Sequence, residues 1–172
     1  RNLLDPEFPN IVADLLATYN YPASALKLEI TETSIMADPE FALQIVQRIA
    51  DMGVTISIDD FGTGYSSLAY IKRLPVSELK IDRAFVMDML NDENDAAIVH
   101  ATIELAHNLG LSVVAEGVEN RETMESLQQQ HCDTLQGYFF SKPLPSGEFL
   151  AWLKECEWCG QPGKSSQVAP LL

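Results

Sequence analysis

The sequence predicts an α/β fold of the (β/α)8, TIM-barrel type, incomplete at about five of the eight strands. Three observations predict it. Short strand-like runs alternate with helical stripes, each run has one apolar and one polar face, and the polar faces end in charged or amide residues at the C-terminal end of the run.

The strand-like runs are Leu26 to Thr31, Val54 to Asp59, Leu79 to Asp82, Ser112 to Glu116 and Thr134 to Phe140. A helix around Phe8 to Tyr19 precedes them, and a βα series that opens on a helix reads as one that has lost its beginning. Asp38-Pro39 opens a second helix, with Phe41, Ile45, Ile49 and Met52 on one stripe and Gly53 closing it. Ser66 to Leu74 reads as another, stopped by Pro75. Ile98, Ala101, Leu105 and Leu109 form the stripe of a further helix ended by Gly110. Asn120 is the expected N-cap of a helix carrying Met124 and Leu127, and Ser146 of one carrying Phe149, Leu150 and Leu153. Residues 1–155 read as the domain, and residues 156–172, which turn to Gly, Pro, Ser and Gln, as a disordered tail.

Side chains on a strand alternate between faces. Leu28 and Ile30 therefore oppose Glu29 and Thr31, and Ile56 and Ile58 oppose Thr55, Ser57 and Asp59. Leu79 and Ile81 oppose Lys80 and Asp82, Val113 and Ala115 oppose Val114 and Glu116, and Leu135 opposes Thr134 and Gln136. A doubly wound sheet, covered on both faces, would show continuous apolar runs. A barrel carries helices outside only and collects function at the C-terminal strand ends. Glu29, Asp59, Lys80, Glu116 and Gln136 are expected to converge there. Burying carboxylates without partners costs several kcal/mol each, and one lysine is too few to balance them. A divalent-metal site is the expected answer.

Composition narrows the classes. The chain has 172 residues, 47% of them hydrophobic, which suits a globular domain with its own core. Its formal net charge of -14 argues against a bulk nucleic-acid binder, which needs a basic face. It still permits a phosphate substrate where metal ions invert the local charge. No apolar run approaches the ~20 residues of a membrane span, and nothing at the start reads as a signal peptide, so the expected compartment is the cytoplasm. A first residue of Arg1 rather than Met reads as a processed or partial chain. Cys132, Cys156 and Cys159 read as incidental thiols, because the Cys156-Cys159 spacing lacks the strand-to-helix setting of a redox motif. His100, His107 and His131 read as ordinary helix or loop residues.

Five segments together resemble the EAL domain family. Glu29-Ile30-Thr31-Glu32 is similar to its E-x-T-E segment, and Asp59 to Leu68 to its D-D-F-G-T-G-Y-S-S-L loop. Leu79-Lys80-Ile81-Asp82 resembles its K-I-D strand, and Glu116-Gly117-Val118-Glu119 its A-E-G-V-E. Gln136-Gly137-Tyr138 with Ser141-Lys142-Pro143-Leu144 resembles its closing Q-G-Y…K-P-L. The resemblance implies a bacterial signalling hydrolase that opens one phosphodiester of cyclic-di-GMP to linear pGpG, with two Mg²⁺ or Mn²⁺ ions. By resemblance, Glu29, Asp59, Asp60 and Glu116 are metal ligands, Asp59 bridging the two ions. Lys80, Glu116 and Gln136 are catalytic: Lys80 orients water or neutralises the oxyanion, Glu116 acts as general base, and Gln136 hydrogen-bonds the metal-held water. Glu32 and Glu119 support them, Glu32 anchoring the loop. Phe61, Gly62, Thr63, Gly64, Tyr65 and Ser66 belong to that loop, which couples metal binding to dimer contacts. The expected partners are cyclic-di-GMP, a second copy in a homodimer, and upstream sensory or cyclase domains.

The family's E-A-L glutamate and the asparagine of its N-x-S strand have no counterpart here, and Asn2 does not take that role. The isolated chain is therefore expected to hydrolyse little or nothing. Two rivals remain. One is a non-catalytic cyclic-di-GMP receptor or protein-interaction module. The other is a dinucleotide fold, because Gly62-Thr63-Gly64 lies between a strand and a helix with Asp82 twenty residues beyond Gly62. Against the second, Ser67 replaces the third glycine, and Asp59 and Asp60 would set negative charge beside a pyrophosphate.

Overall fold

The structure, a computed structural model, describes residues 2–62 and 68–156. Of the loop and tail expectations, Thr63, Gly64, Tyr65, Ser66 and the residues from 157 onward lie outside the described residues. The described strands are β1 (Lys27–Thr31), β2 (Thr55–Phe61), β3 (Glu78–Ile81), β4 (Ser112–Ala115) and β5 (Thr134–Leu135). They form a five-stranded parallel sheet in sequence order, which is the order a βα series produces and falls short of the eight strands of a barrel. The helices are α1 (Phe8–Thr18), α2 (Glu32–Ala37), α3 (Pro39–Ala50), α4 (Leu68–Ile71), α5 (Arg83–Asp88), α6 (Glu93–Asn108), α7 (Arg121–Gln129) and α8 (Ser146–Glu155).

Packing divides the chain into two units. One holds the residues up to Lys80 with Ala106–Leu111, the other Ile81–Leu105 and the residues from Ser112 onward. In the first unit, Asp38 caps α3 through the Phe41 N–H at 3.1 Å, Pro39 fits the first helical position, and Gly53 ends the turn at a φ of 90°. The buried face of α3 is Ala42, Ile45, Val46 and Ile49; Phe41 and Met52, also expected there, stay part-exposed. In β2, Ile56, Ser57 and Ile58 are all buried, so both faces of the strand are covered. No residue of β1 is fully buried, and Leu28 and Ile30 are only half-covered, as suits an edge strand.

In the second unit, Asn120 caps α7 through the Thr123 N–H at 2.8 Å, as its side chain allows. The buried face of α6, whose last residues from Ala106 belong to the first unit, is Val99, Thr102, Ile103 and Ala106, while Ile98 and Ala101, expected there, are exposed. The helix carries two apolar stripes offset by one residue, and the core takes the one that starts at Val99. The last strand stops at Leu135, because a turn closed by the Phe140 N–H on the Gly137 carbonyl follows it. Ser146 does not cap α8; Pro145 holds the cap position with no side-chain bond, and α8 buries no residue fully.

Candidate active site at the strand ends

Short helices follow β1 and β3 directly, and each is started by a strand-end side chain. The Thr31 hydroxyl accepts the Ser34 N–H at 3.3 Å to open α2. Asp82 accepts the Ala84 N–H at 2.7 Å to open α5, so its carboxylate caps a helix. These caps turn the chain away at the C-terminal strand ends and leave Glu29, Asp59 and Lys80 there.

In the first unit the structure brings those three side chains together. The Lys80 ammonium lies 2.8 Å from Glu29 Oε1 and 3.1 Å from Asp59 Oδ1. Lys80 is 5% exposed, Asp59 22% and Glu29 41%, so the cation is the most buried member and Glu29 the most exposed. Asp59 Oδ1 is itself buried and accepts no hydrogen bond among the described residues; its contact with Lys80 is an ion pair without hydrogen-bond geometry. Beside it, Asp60 adopts a left-handed φ of 54°, which breaks the strict alternation of β2 at the second aspartate. Gly62 follows at a φ of 97°, where glycine is the residue without penalty. Its N–H donates to Glu32 Oε2 at 3.2 Å. Glu32 is almost fully buried, and its other oxygen has no hydrogen-bond partner among the described residues.

The oxygen donors Glu29 and Asp59, with one orphaned buried oxygen, fit a hard divalent cation in kind. They do not complete a site. Among the described residues, no group of three His, Cys, Asp or Glu side chains is placed to hold a metal ion.

In the second unit, backbone pairing continues past the ends of β4 and β5. Glu116 N–H donates to the Ile81 carbonyl at 3.2 Å, Gln136 N–H to Ala115 at 2.9 Å, and Val118 N–H to Gln136 at 3.0 Å. The glycines after each are steric requirements. A Cβ at Gly117, where φ is 77°, would stand 2.6 Å from Arg83 Cβ, and one at Gly137 would stand 2.0 Å from the Val118 carbonyl oxygen. Glu116 and Gln136 are thus fixed in backbone position. Gln136 Oε1 is buried without a hydrogen-bond partner among the described residues, a cost of about 1–3 kcal/mol if left unmet. Glu119 is exposed.

Ser57, on the polar face of β2 with Asp59, is fully buried, and its hydroxyl has no hydrogen-bond partner among the described residues. Two further polar groups were not foreseen in the sequence. Glu78 is buried at the start of β3 and meets Lys27. Asp133 accepts the Val113 N–H at 2.8 Å at the start of β4. A polar residue at a strand start, where neighbouring strands also start, is the signal that could have found the last two. Cys132 is buried and its thiol is pushed up to about 12 by burial, which makes it a poor nucleophile.

Residues 1–143 match the family model described as the EAL domain. A bifunctional diguanylate cyclase/cyclic di-GMP phosphodiesterase, MucR of Pseudomonas aeruginosa, is 48% identical over 140 residues, covering 81% of this chain and 20% of MucR. Cyclic di-GMP phosphodiesterase NbdA of the same organism is 47% identical over 133 residues, covering 77% of this chain and 16% of NbdA. The solved PaMucR phosphodiesterase in complex with c-di-GMP superposes with a TM-score of 0.84 at 44% identity, covering 86% of this chain and 60% of that one. The chain therefore spans at most about a fifth of these curated relatives and three-fifths of this solved neighbour. A family match over most of the chain and the same fold in a solved relative together make this chain a member of the EAL domain family.

Proposed function

We propose that this chain supplies strand ends of the active site of a cyclic-di-GMP phosphodiesterase, which hydrolyses one phosphodiester bond to linear pGpG in bacterial second-messenger signalling. The observation that carries this reading is the buried Lys80 ammonium held between two more exposed carboxylates, Glu29 and Asp59. The named activities of the relatives MucR and NbdA support it.

Glu29, Asp59, Asp60 and Glu116 are the residues proposed to hold Mg²⁺ or Mn²⁺ in a two-metal centre. Such ions, when bound, stabilise the negative charge of an in-line displacement and make water more acidic. Lys80 offers a compact positive charge to the phosphoryl oxygen as charge develops on it. Glu116 takes the proton of the attacking water as its oxygen bonds to phosphorus and the bond to the 3′ oxygen breaks. Gln136 Oε1, which lacks a partner, accepts a hydrogen bond from that water. Glu32, through Gly62, sets the start of the loop from Phe61 to Ser66 and hence its coupling to a homodimer; Glu119 supports from outside the centre. The bifunctional MucR motivates the proposal of upstream sensory or cyclase domains in a cytoplasmic parent. Among the described residues no helix is long and apolar enough to cross a membrane.

A second reading, a non-catalytic cyclic-di-GMP-binding or protein-interaction module, is favoured by the lack of a three-ligand group among the described residues. Liquid chromatography of cyclic-di-GMP incubated with Mg²⁺ or Mn²⁺ separates the two. A domain extended to the length of its solved neighbours is expected to yield pGpG and to stop with a chelator, while the 172-residue chain alone yields little. An extended domain that binds cyclic-di-GMP without cleaving it overturns the enzyme reading in favour of the second.

A further inference from the structure

We propose that Ser57 is a positioning residue: its short side chain leaves, over β2, the space through which Lys80 reaches Glu29 and Asp59, and so sets where the ammonium stands. The inference rests on the reading above of Lys80 as the charge offered to the phosphoryl oxygen. β2 lies between β1 and β3 in the sheet. Neighbouring strands are about 4.8 Å apart, so β1 and β3 are separated by roughly 10 Å. Two ion pairs nevertheless join them. Lys27 of β1 meets Glu78 of β3 at 2.7 Å, and Lys80 of β3 meets Glu29 of β1 at 2.8 Å. The contact of Lys80 with Asp59 at 3.1 Å shows which face of β2 they cross, and alternation puts Thr55 and Ser57 on that same face. The register sets Thr55 beside Lys27 and Ser57 beside Glu29. Ser57 therefore lies under the reach of Lys80 to Glu29.

Burial agrees with this placement, because Ser57 is 0% exposed. Its hydroxyl has no hydrogen-bond partner among the described residues, so the position supplies space and not a bond. A buried strand position between Ile56 and Ile58 would ordinarily favour a β-branched apolar residue. Here such a residue would put methyl groups where the lysine stem crosses to the Glu29 carboxylate. A close-packed interior does not absorb that volume without moving a neighbour. Lys80 is 5% exposed in a strand buried at every residue, which leaves its stem no open path around the obstacle. The ammonium would be driven off its carboxylates, while the carboxylates themselves would stay on their strands.

The test sets Ser57→Ala, which keeps the space and removes the hydroxyl, against Ser57→Ile, which fills the space. Ser57→Val takes its place should Ser57→Ile fail to fold. In the ¹⁵N-labelled 172-residue chain, a ¹H–¹⁵N correlation tuned to lysine ammonium groups detects a buried, ion-paired ammonium, and loss of the signal in Lys80→Arg assigns it. The Lys80 signal is expected in the unmutated chain and in Ser57→Ala, and is expected to be lost or shifted in Ser57→Ile. In a domain extended to the neighbours' length, Ser57→Ile is expected to cut kcat for cyclic-di-GMP about 100-fold with KM changed less than about threefold, as loss of a charge used in the transition state predicts. Ser57→Ala is expected to restore kcat to within about threefold of the unmutated domain. A Lys80 signal absent from the unmutated chain or unchanged in Ser57→Ile overturns the inference. So does a Ser57→Ala rate as low as that of Ser57→Ile, or a Ser57→Ile rate equal to the unmutated one. An extended domain that hydrolyses nothing in any form, while the Lys80 signal responds as expected, overturns the enzyme reading and leaves the placement of Lys80 by Ser57 standing.

Discussion

Two lysine–carboxylate contacts stand at opposite ends of the same three strands, and they are built in opposite ways. At the N-terminal ends, Lys27 of β1 meets both oxygens of Glu78 of β3 at 2.7 and 2.9 Å. There the carboxylate is buried, at 9% exposure, and the lysine is 38% exposed. At the C-terminal ends, Lys80 is buried and faces two more exposed carboxylates, Glu29 and Asp59. The first contact is balanced, one charge against one, with every carboxylate oxygen bonded. The second leaves negative charge in excess and one buried oxygen without a hydrogen bond. A balanced pair supports the fold and does little else. An unbalanced one costs stability in isolation and persists where something else binds. The division matches the general one between the two ends of parallel strands in barrels, stability below and chemistry above.

The comparison can be broken most directly at Asp59. In a domain extended to the neighbours' length, Asp59→Asn is expected to cut hydrolysis about a thousandfold, or ~4 kcal/mol of transition-state stabilisation. Thermal unfolding should show no loss of stability, because the substitution removes an excess negative charge. A loss of stability with only a few-fold loss of rate would make the upper cluster an ordinary ion pair like the lower one. Glu32→Gln comes next. It weakens the anchor of Gly62 without emptying the site, and a fall of about 10–100-fold in rate with a retained fold is expected. Lys27→Met should act the other way round. It leaves Glu78 buried and unpaired, so stability falls by about 1–2 kcal/mol once the part-exposure of Lys27 is allowed for, seen as a lower melting temperature, while Mn²⁺ affinity stays unchanged.

The smallest effect is expected at a third, fully exposed pair, Arg73 with Glu40 at 2.8 Å. Hydrogen bonding to the Arg73 guanidinium holds the Glu40 carboxyl below its ordinary range, so any contribution is present at neutral pH and fades as pH falls through that lowered value. Solvent screens the pair, and Arg73→Ala should leave the melting temperature unchanged at neutral and acid pH alike.

Much of this was legible in the residues. The period-two alternation in β2 and β3 announced Asp59 and Lys80, and the Asn120 and Asp38 caps announced α7 and α3. What escaped has physical reasons. Two apolar stripes one residue apart on α6, Ile98-Ala101-Leu105 and Val99-Ile103-Ala106, cannot be ranked without knowing which neighbour covers the helix. Alternation cannot foresee Asp60, whose left-handed backbone suspends the rule that would predict its face. The short helices α2 and α5 are only six residues each and depend on capping by Thr31 and Asp82, residues that also fit a strand end. The pairing of Lys80 with two carboxylates, and of Lys27 with Glu78, spans strands far apart in sequence, so spacing along the chain carries no trace of it.

The upper, unbalanced cluster is expected to take a divalent cation, and the lower, balanced pair is not. Paramagnetic broadening by substoichiometric Mn²⁺ in the ¹⁵N-labelled chain reads both ends of the same strands at once. The amides of Glu29, Asp59 and Lys80 are expected to lose the most intensity, and Asp59→Asn to abolish the loss while Glu78→Gln leaves it unchanged. A loss that survives Asp59→Asn, or one confined to exposed acids elsewhere, would overturn this reading.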